Sequence, residues 1–172
     1  FQAFSAIYRH EMDRFKRTLM QSLFSPVLST SLYFIVFGSV IGGYVENIDG
    51  ISYGSYIVPG LLMLTLLTQS ISNTSFGIFF PKFNGTIYEI LAAPISTFEI
   101  VLAFVGAGAT KTLIVGVVIF ITSTFFVEVN VMYPLLMIFL LVLVAFTFAL
   151  FGFLIGLMSS NFEQMSIIPT LV

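Results

Sequence analysis

Along the chain, charged residues punctuate four long apolar runs. Thr18 to Val45 is 28 residues without a charge, Gly50 to Pro81 is 32, Thr112 to Val127 is 16 and Val129 to Phe162 is 34. About 20 predominantly apolar residues suffice for a helix to cross roughly 30 Å of hydrocarbon. The pattern therefore predicts an all-α, polytopic transmembrane helical bundle. Spans are expected at about 22–42, 53–75, 98–127 and 134–157, within a transmembrane domain covering 20–172. The run from Met165 to Val172 reads as the opening of a fifth span, incomplete at 165–172, and the chain as a piece of a longer one.

Residues 1–19 follow a different pattern. Phe1, Phe4, Tyr8, Met12, Phe15 and Leu19 recur at steps of 3, 4, 4, 3 and 4, the helical period. Arg9, His10, Asp13, Arg14, Lys16 and Arg17 fill much of the remaining surface. An aromatic stripe with a basic remainder, here including Phe4, Tyr8, Arg14 and Phe15, suits a helix lying flat in the membrane interface. The plainer reading is a juxtamembrane stretch with ordinary flanking charge.

Within the first span, Pro26 falls in the opening turns, and Gly38 and Gly42 form a small-xxx-small pair that lets another helix approach closely. Gly152 and Gly156 repeat that spacing in the fourth span. Pro59-Gly60 is expected to kink or open the second span near its start. The second half of that span is rich in Thr, Ser, Gln and Asn, including Thr68, Gln69 and Ser72. An unpaired polar group facing lipid is costly, so this face is expected to line a wet path or to hold helices together. Residues 76–97 break the apolar pattern with Pro81, Lys82, Asn84, Gly85, Glu89 and Pro94, and predict a short helix outside the hydrocarbon. Ser96 or Thr97 then caps the third span, with Glu99 in its first turn, where a negative charge is favourable. Lys111 lies within the third span; either it snorkels toward the headgroups or it is buried and needs a partner.

Charge placement orients the bundle. The amino-terminal segment and the 76–97 loop hold Arg9, Arg14, Lys16, Arg17 and Lys82, whereas the loops at 43–52 and 128–133 hold only the acids Glu46, Asp49 and Glu128. The positive-inside bias places the amino terminus in the cytoplasm. Composition agrees with the membrane reading: hydrophobic residues are 58% and charged residues 8%, against about 25% charge in a soluble domain. With no cysteine and one histidine, thiolate catalysis, sulfur-ligated metals and multi-histidine sites are excluded. Six basic residues, mostly clustered near the start, leave no surface for nucleic acid. No phosphate-binding loop occurs, so the chain is expected neither to be an enzyme nor to hold a cofactor or metal.

The string Gly85-Thr86-Ile87-Tyr88-Glu89-Ile90-Leu91-Ala92-Ala93-Pro94-Ile95-Ser96, followed by Glu99, resembles the first cytoplasmic loop of ABC-2 type transporter permeases. Pro59-Gly60-Leu61-Leu62-Met63, preceded by Tyr56, resembles the family's span-two motif; Phe4 to Thr18 is similar to its connecting helix, and Pro26 to its span-one proline. The resemblance covers essentially the whole chain and is nearest to bacterial polysaccharide, nodulation-factor and drug exporter permeases. It implies a type V exporter-like membrane domain, complete at six spans, in the bacterial inner membrane. It also implies a homodimer with a second permease copy, and two separately encoded ATP-binding subunits that hold ATP and Mg²⁺. By the same resemblance Gly85, Thr86, Tyr88, Glu89, Leu91 and Pro94 belong to the ATPase-coupling element, with Glu89 its main polar contact. A non-transporting membrane assembly or anchoring subunit is the alternative from another class, and an ion-coupled carrier a third.

Overall fold

The computed structural model describes residues 2–41, 47–48, 51–127 and 131–165. Helix α1 (Gln2–Arg17) is separated by Thr18 alone from α2 (Leu19–Tyr33), which passes into a π-helical stretch over Phe34–Ile41. A minimal hairpin, β1 (Asn47–Ile48) with β2 (Ile51–Ser52), leads into α3 (Tyr53–Phe83). The short α4 (Ile87–Ala92), α5 (Thr97–Phe126) and α6 (Pro134–Met158) complete the described fold. Four helices are long and apolar enough to cross a membrane: Leu19–Phe37, Tyr53–Phe83, Thr97–Phe126 and Pro134–Met158. The all-α, membrane-spanning bundle predicted from the apolar runs is the observed architecture.

Four features depart from expectation. The second helix does not stop near residue 75 but runs to Phe83, because Gly77, Ile78, Phe79 and Pro81 are buried against neighbouring helices. At 31 residues and a 1.5 Å rise, α3 reaches about 46 Å, well beyond the hydrocarbon thickness. The 76–97 loop is thus a helical extension, a turn and α4. Pro59-Gly60 does not open α3, which is helical throughout with both residues exposed. Ser96 stands at the N-cap of α5 but makes no side-chain capping bond, so Glu99 in the first turn supplies the favourable charge there. By contrast Ser52 caps α3, its Oγ accepting a bond from the Ser55 amide at 3.3 Å. Residues 162–165, expected as the end of a loop and the start of a span, form a helical turn closed by the Met165 amide on the Asn161 carbonyl.

Helix α3 is the axis of the bundle, with its largest contacts to α6 and α5. Gly152 and Gly156 of α6 are where the approach is closest. A Cβ at Gly152 would sit 2.5 Å from the Ile71 carbonyl oxygen, and one at Gly156 would sit 2.5 Å from that of Ser75. The Ser70 hydroxyl donates to the Ala145 carbonyl at 2.5 Å across the same seam. Gly38 lies in the π-helical stretch, while Gly42, Glu46, Asp49 and Glu128 lie outside the described residues. Near the far end of the seam the Lys82 ammonium donates to the carbonyls of Leu157 (2.7 Å) and Ser159 (2.9 Å), meeting the unsatisfied carbonyls at the end of α6.

Gly152→Leu should lower the midpoint of thermal unfolding of the detergent-solubilised protein, with an overpacking cost of about 1–3 kcal/mol. Gly60→Ala, where a Cβ meets nothing within 4 Å, should leave it unchanged or raised. Equal shifts in the two variants would contradict a seam held by backbone contact.

Candidate functional site

Among the described residues, the site grows from the stretch where α1 brings ionisable groups onto α5. On α1, Phe4, Tyr8, Glu11 and Phe15 share one face at helical spacing. That face packs on α5, so the helix carries Tyr8 and Glu11 to the middle of the third span. The Tyr8 hydroxyl donates to Thr110 Oγ1 at 3.0 Å. One residue on, Lys111 Nζ donates to Glu11 Oε2 at 2.7 Å. Arg14, one turn further along α1, reaches the same oxygen at 2.9 Å. Lys111 is 4% exposed and Glu11 2%, so the pair is withdrawn from water.

Lys111 therefore does not snorkel. Its side chain ends on a carboxylate of another helix, because a buried ammonium requires a counter-charge and α1 brings one within reach. Neither is α1 a free interfacial helix, since Glu11 and Phe15 are buried in the bundle and the basic residues Arg9, Lys16 and Arg17 stay outside. The Arg14 guanidinium lies over the rings of Phe76 (5.5 Å) and Phe80 (5.7 Å), joining α1 to α3 as well. Gly77 leaves room for the carboxylate; a Cβ there would stand 3.4 Å from Glu11 Oε2. Glu11 Oε1 has no hydrogen-bond partner among the described residues.

Glu11 is the residue that sequence reading missed. The aromatic stripe takes Met12 as its fourth member, yet Glu11 is seven residues from Phe4 and four from Phe15, the same helical face. An acid on an apolar stripe, together with a lysine inside a span, was the available signal.

A cavity of about 670 Å³ opens beside this cluster, between α1, the start of α2, α3 and α5. Arg14 and Lys111 line it with Ser22, Thr68, Ser72 and Asn73. Of the three polar positions singled out in the second span, Thr68 and Ser72 reach the cavity and Gln69 does not; Gln69 instead accepts from Asn73 Nδ2 at 3.5 Å. Ser70 and Thr74 turn the other way, toward α6 and α5. The polar face of α3 is therefore divided, one part joining helices and the other lining space. A second cavity, about 540 Å³, is lined by Glu11 and Arg14 together with Phe80, Ile90 and Phe104.

The 85–94 element forms the turn between α3 and α5, and its Thr86 and Ile90 share the lining of the second cavity with Glu11 and Arg14. Gly85 has φ +79°, a left-handed conformation that ends α3 at little cost only for glycine. Ile87 and Ile90 pack on the core, whereas Tyr88 (72% exposed), Glu89 and Leu91 (61%) point outward. Thr86 precedes the helix without a side-chain capping bond, and Thr86 and Pro94 are both exposed. Phe4 lies against Tyr8, ring centroids 5.9 Å apart. Among the described residues no group of three or more His, Cys, Asp or Glu is placed to hold a metal.

The sequence model of the family described as ABC-2 type transporter matches residues 2–172. The chain belongs to that family. Over 170 residues it is 38% identical to the inner membrane transport permease YadH of Escherichia coli K12, covering 99% of this chain and 66% of that protein. The same figures hold for YadH of Shigella flexneri. Nodulation protein J of Neorhizobium galegae is 24% identical over 119 residues, 69% of this chain and 45% of that protein. The chain thus spans about two-thirds of the length of the YadH relatives, and no solved structure matches it. In ABC-2 terms, residues 85–94 are the stretch that resembles the family's first cytoplasmic loop, and they form the outward-facing element between α3 and α5.

Because one carboxylate serves two cations, the members of the cluster are unequal. Glu11→Ala should cost about 3 kcal/mol or more, stranding Lys111, whereas Lys111→Ala leaves Glu11 paired with Arg14 and should cost less. Thermal unfolding of the two single variants gives the order; a larger loss for Lys111→Ala would contradict the shared-oxygen geometry.

Proposed function

We propose that this chain is the membrane-spanning part of an ATP-driven exporter permease, coupled through α4 to a separately encoded ATP-binding subunit. The observation that carries the reading is the two-sided construction of α4. Ile87 and Ile90 fix it to the bundle while Tyr88, Glu89 and Leu91 stand exposed as a compact aromatic, acidic and aliphatic surface. A rigid element with such an outer face is suited to receive force from a soluble partner. Its place on the side with the basic amino-terminal helix fits a cytoplasmic face. The YadH relatives are inner membrane transport permeases, which supports the same assignment.

In this reading ATP and Mg²⁺ are held by the partner subunit, the permease acts as a homodimer in a bacterial inner membrane, and the amino terminus is cytoplasmic. Thr68 and Ser72 belong to the path of the exported molecule, since both line the larger cavity. Family membership favours transport over a purely anchoring role, and the one lysine–glutamate–arginine cluster is engaged in joining helices rather than standing free as an ion carrier's site would.

Tyr88→Ala and Glu89→Arg should each reduce co-purification of the ATP-binding subunit, or leave ATP turnover running without export, while the permease stays folded. Normal pairing and fully coupled export in both would sink the assignment of α4. Gly85→Pro should have a larger effect, because proline cannot adopt the positive φ of that position. For orientation, a cysteine replacing Asn47 should react with an impermeant thiol reagent added outside intact cells, and one replacing Asn84 should not. The opposite labelling pattern would invert the topology.

A further inference from the structure

The larger cavity has an electrostatic imbalance that the coupling reading does not use. Arg14 and Lys111 line it, and the one carboxylate that meets them, Glu11, is shared by both through a single oxygen. Two cations against one anion leave a net positive charge at the wall. Asp13, the nearest other acid on α1, is engaged by Lys16 at 3.1 Å on the exposed side of the helix. No Asp or Glu is among the residues lining the cavity. Lys111 is buried while the Arg14 side chain is 25% exposed, so the surplus is only partly open to water, and positive charge so placed is costly unless an anion meets it.

The rest of the lining suits an anion with an apolar body. Ser22, Thr68, Ser72 and Asn73 supply hydroxyl and amide groups beside the cations, able to donate to oxygen atoms. Phe15, Phe76 and Met165 make the remaining wall apolar. At about 670 Å³ the space lies in the range of small-molecule sites and exceeds what a simple inorganic anion needs. We propose that this cavity binds a singly charged phosphate or carboxylate group borne on an apolar body, with Lys111 and Arg14 receiving the charge and the α3 hydroxyls orienting it. Two sources share that chemistry: an anionic phospholipid of the bilayer, and an anionic amphiphile in transit. The inference stands apart from the assignment of α4, because it concerns binding alone.

The experiment uses the full-length permease, delipidated in detergent and without any ATP-binding subunit. Phosphatidylglycerol, phosphatidylcholine or dodecyl phosphate is added, and bound molecules per chain are counted by native mass spectrometry across a concentration series. Retention of phosphatidylglycerol over phosphatidylcholine identifies the lipid as the source. Binding of dodecyl phosphate without a preference between the two lipids identifies a soluble amphiphile. If neither behaviour is seen, the proposal is overturned. Lys111→Gln keeps Glu11 paired with Arg14 and removes the surplus charge, so binding should weaken about tenfold or more. Glu11→Gln should strengthen it, and unchanged binding in both variants overturns the proposal. Should Lys111→Gln fail to fold, Ser72→Leu narrows the cavity beside the intact charge cluster and removes one orienting hydroxyl, and should weaken binding about tenfold; wild-type binding in that variant is the overturning result. Since no ATPase is present, a failure here leaves the coupling reading intact, and a failure of co-purification leaves this one intact.

Discussion

The fold depends on the close approach of α6 and α5 to α3. In a bilayer, helices gain nothing from hiding apolar surface from one another, so association relies on close packing and on hydrogen bonds between helices. The α3–α6 seam uses both. Gly152 and Gly156 bring the backbones together, and Ser70 closes a hydroxyl-to-carbonyl bond in the space so made. With α3 fixed, its polar residues are sorted without ambiguity. Those turned toward α6 and α5 join helices, and those turned toward α1 and α2 surround open volume.

The ion cluster is the second constraint, and it acts at a different level. Buried charge is poor glue in net terms, because desolvation offsets most of the Coulomb attraction. What it provides is register: α1 can dock on α5 only where Glu11 meets Lys111, and on α3 only where Arg14 covers Phe76 and Phe80. A helix that would otherwise slide along the membrane surface is held at one depth and one rotation. Helices α1 and α5, 100 residues apart in sequence at the contact, are thereby locked together.

Much of this was legible before any coordinates. Four charge-free runs gave four long helices, and the Gly-Thr-x-x-Glu string gave a short helix between the second and third. Positions 87–92 were recoverable because Gly85 and Pro94 bracket them. The end of α3 was not, since its last two turns carry Pro81 and Lys82, residues that locally read as loop; burial of Ile78 and Phe79 overrides that signal. The pairing of Lys111 was posed by the sequence as an open choice. Its resolution needed the rotation of α1, which depends on whether Glu11 or Met12 faces inward, a difference of one residue on a helix. The division of the α3 polar face was out of reach for the same reason: spacing along one helix does not say which neighbour lies on which side.

Lys82 has a role that extends past its own helix. Its ammonium clasps the two carbonyls at the exit of α6, and Phe162, just beyond, sets its ring edge-on to Phe79 and Phe83 at 4.8 and 5.1 Å. The corner at which α3 ends and the point at which the backbone leaves α6 are therefore one knot. The turn after α6 is thereby tied to the last turns of α3, just ahead of the Gly85 turn that leads into α4. The tie also works in reverse: a shift of the turn that follows α6 would be felt at the end of α3, from which Gly85 leads into α4.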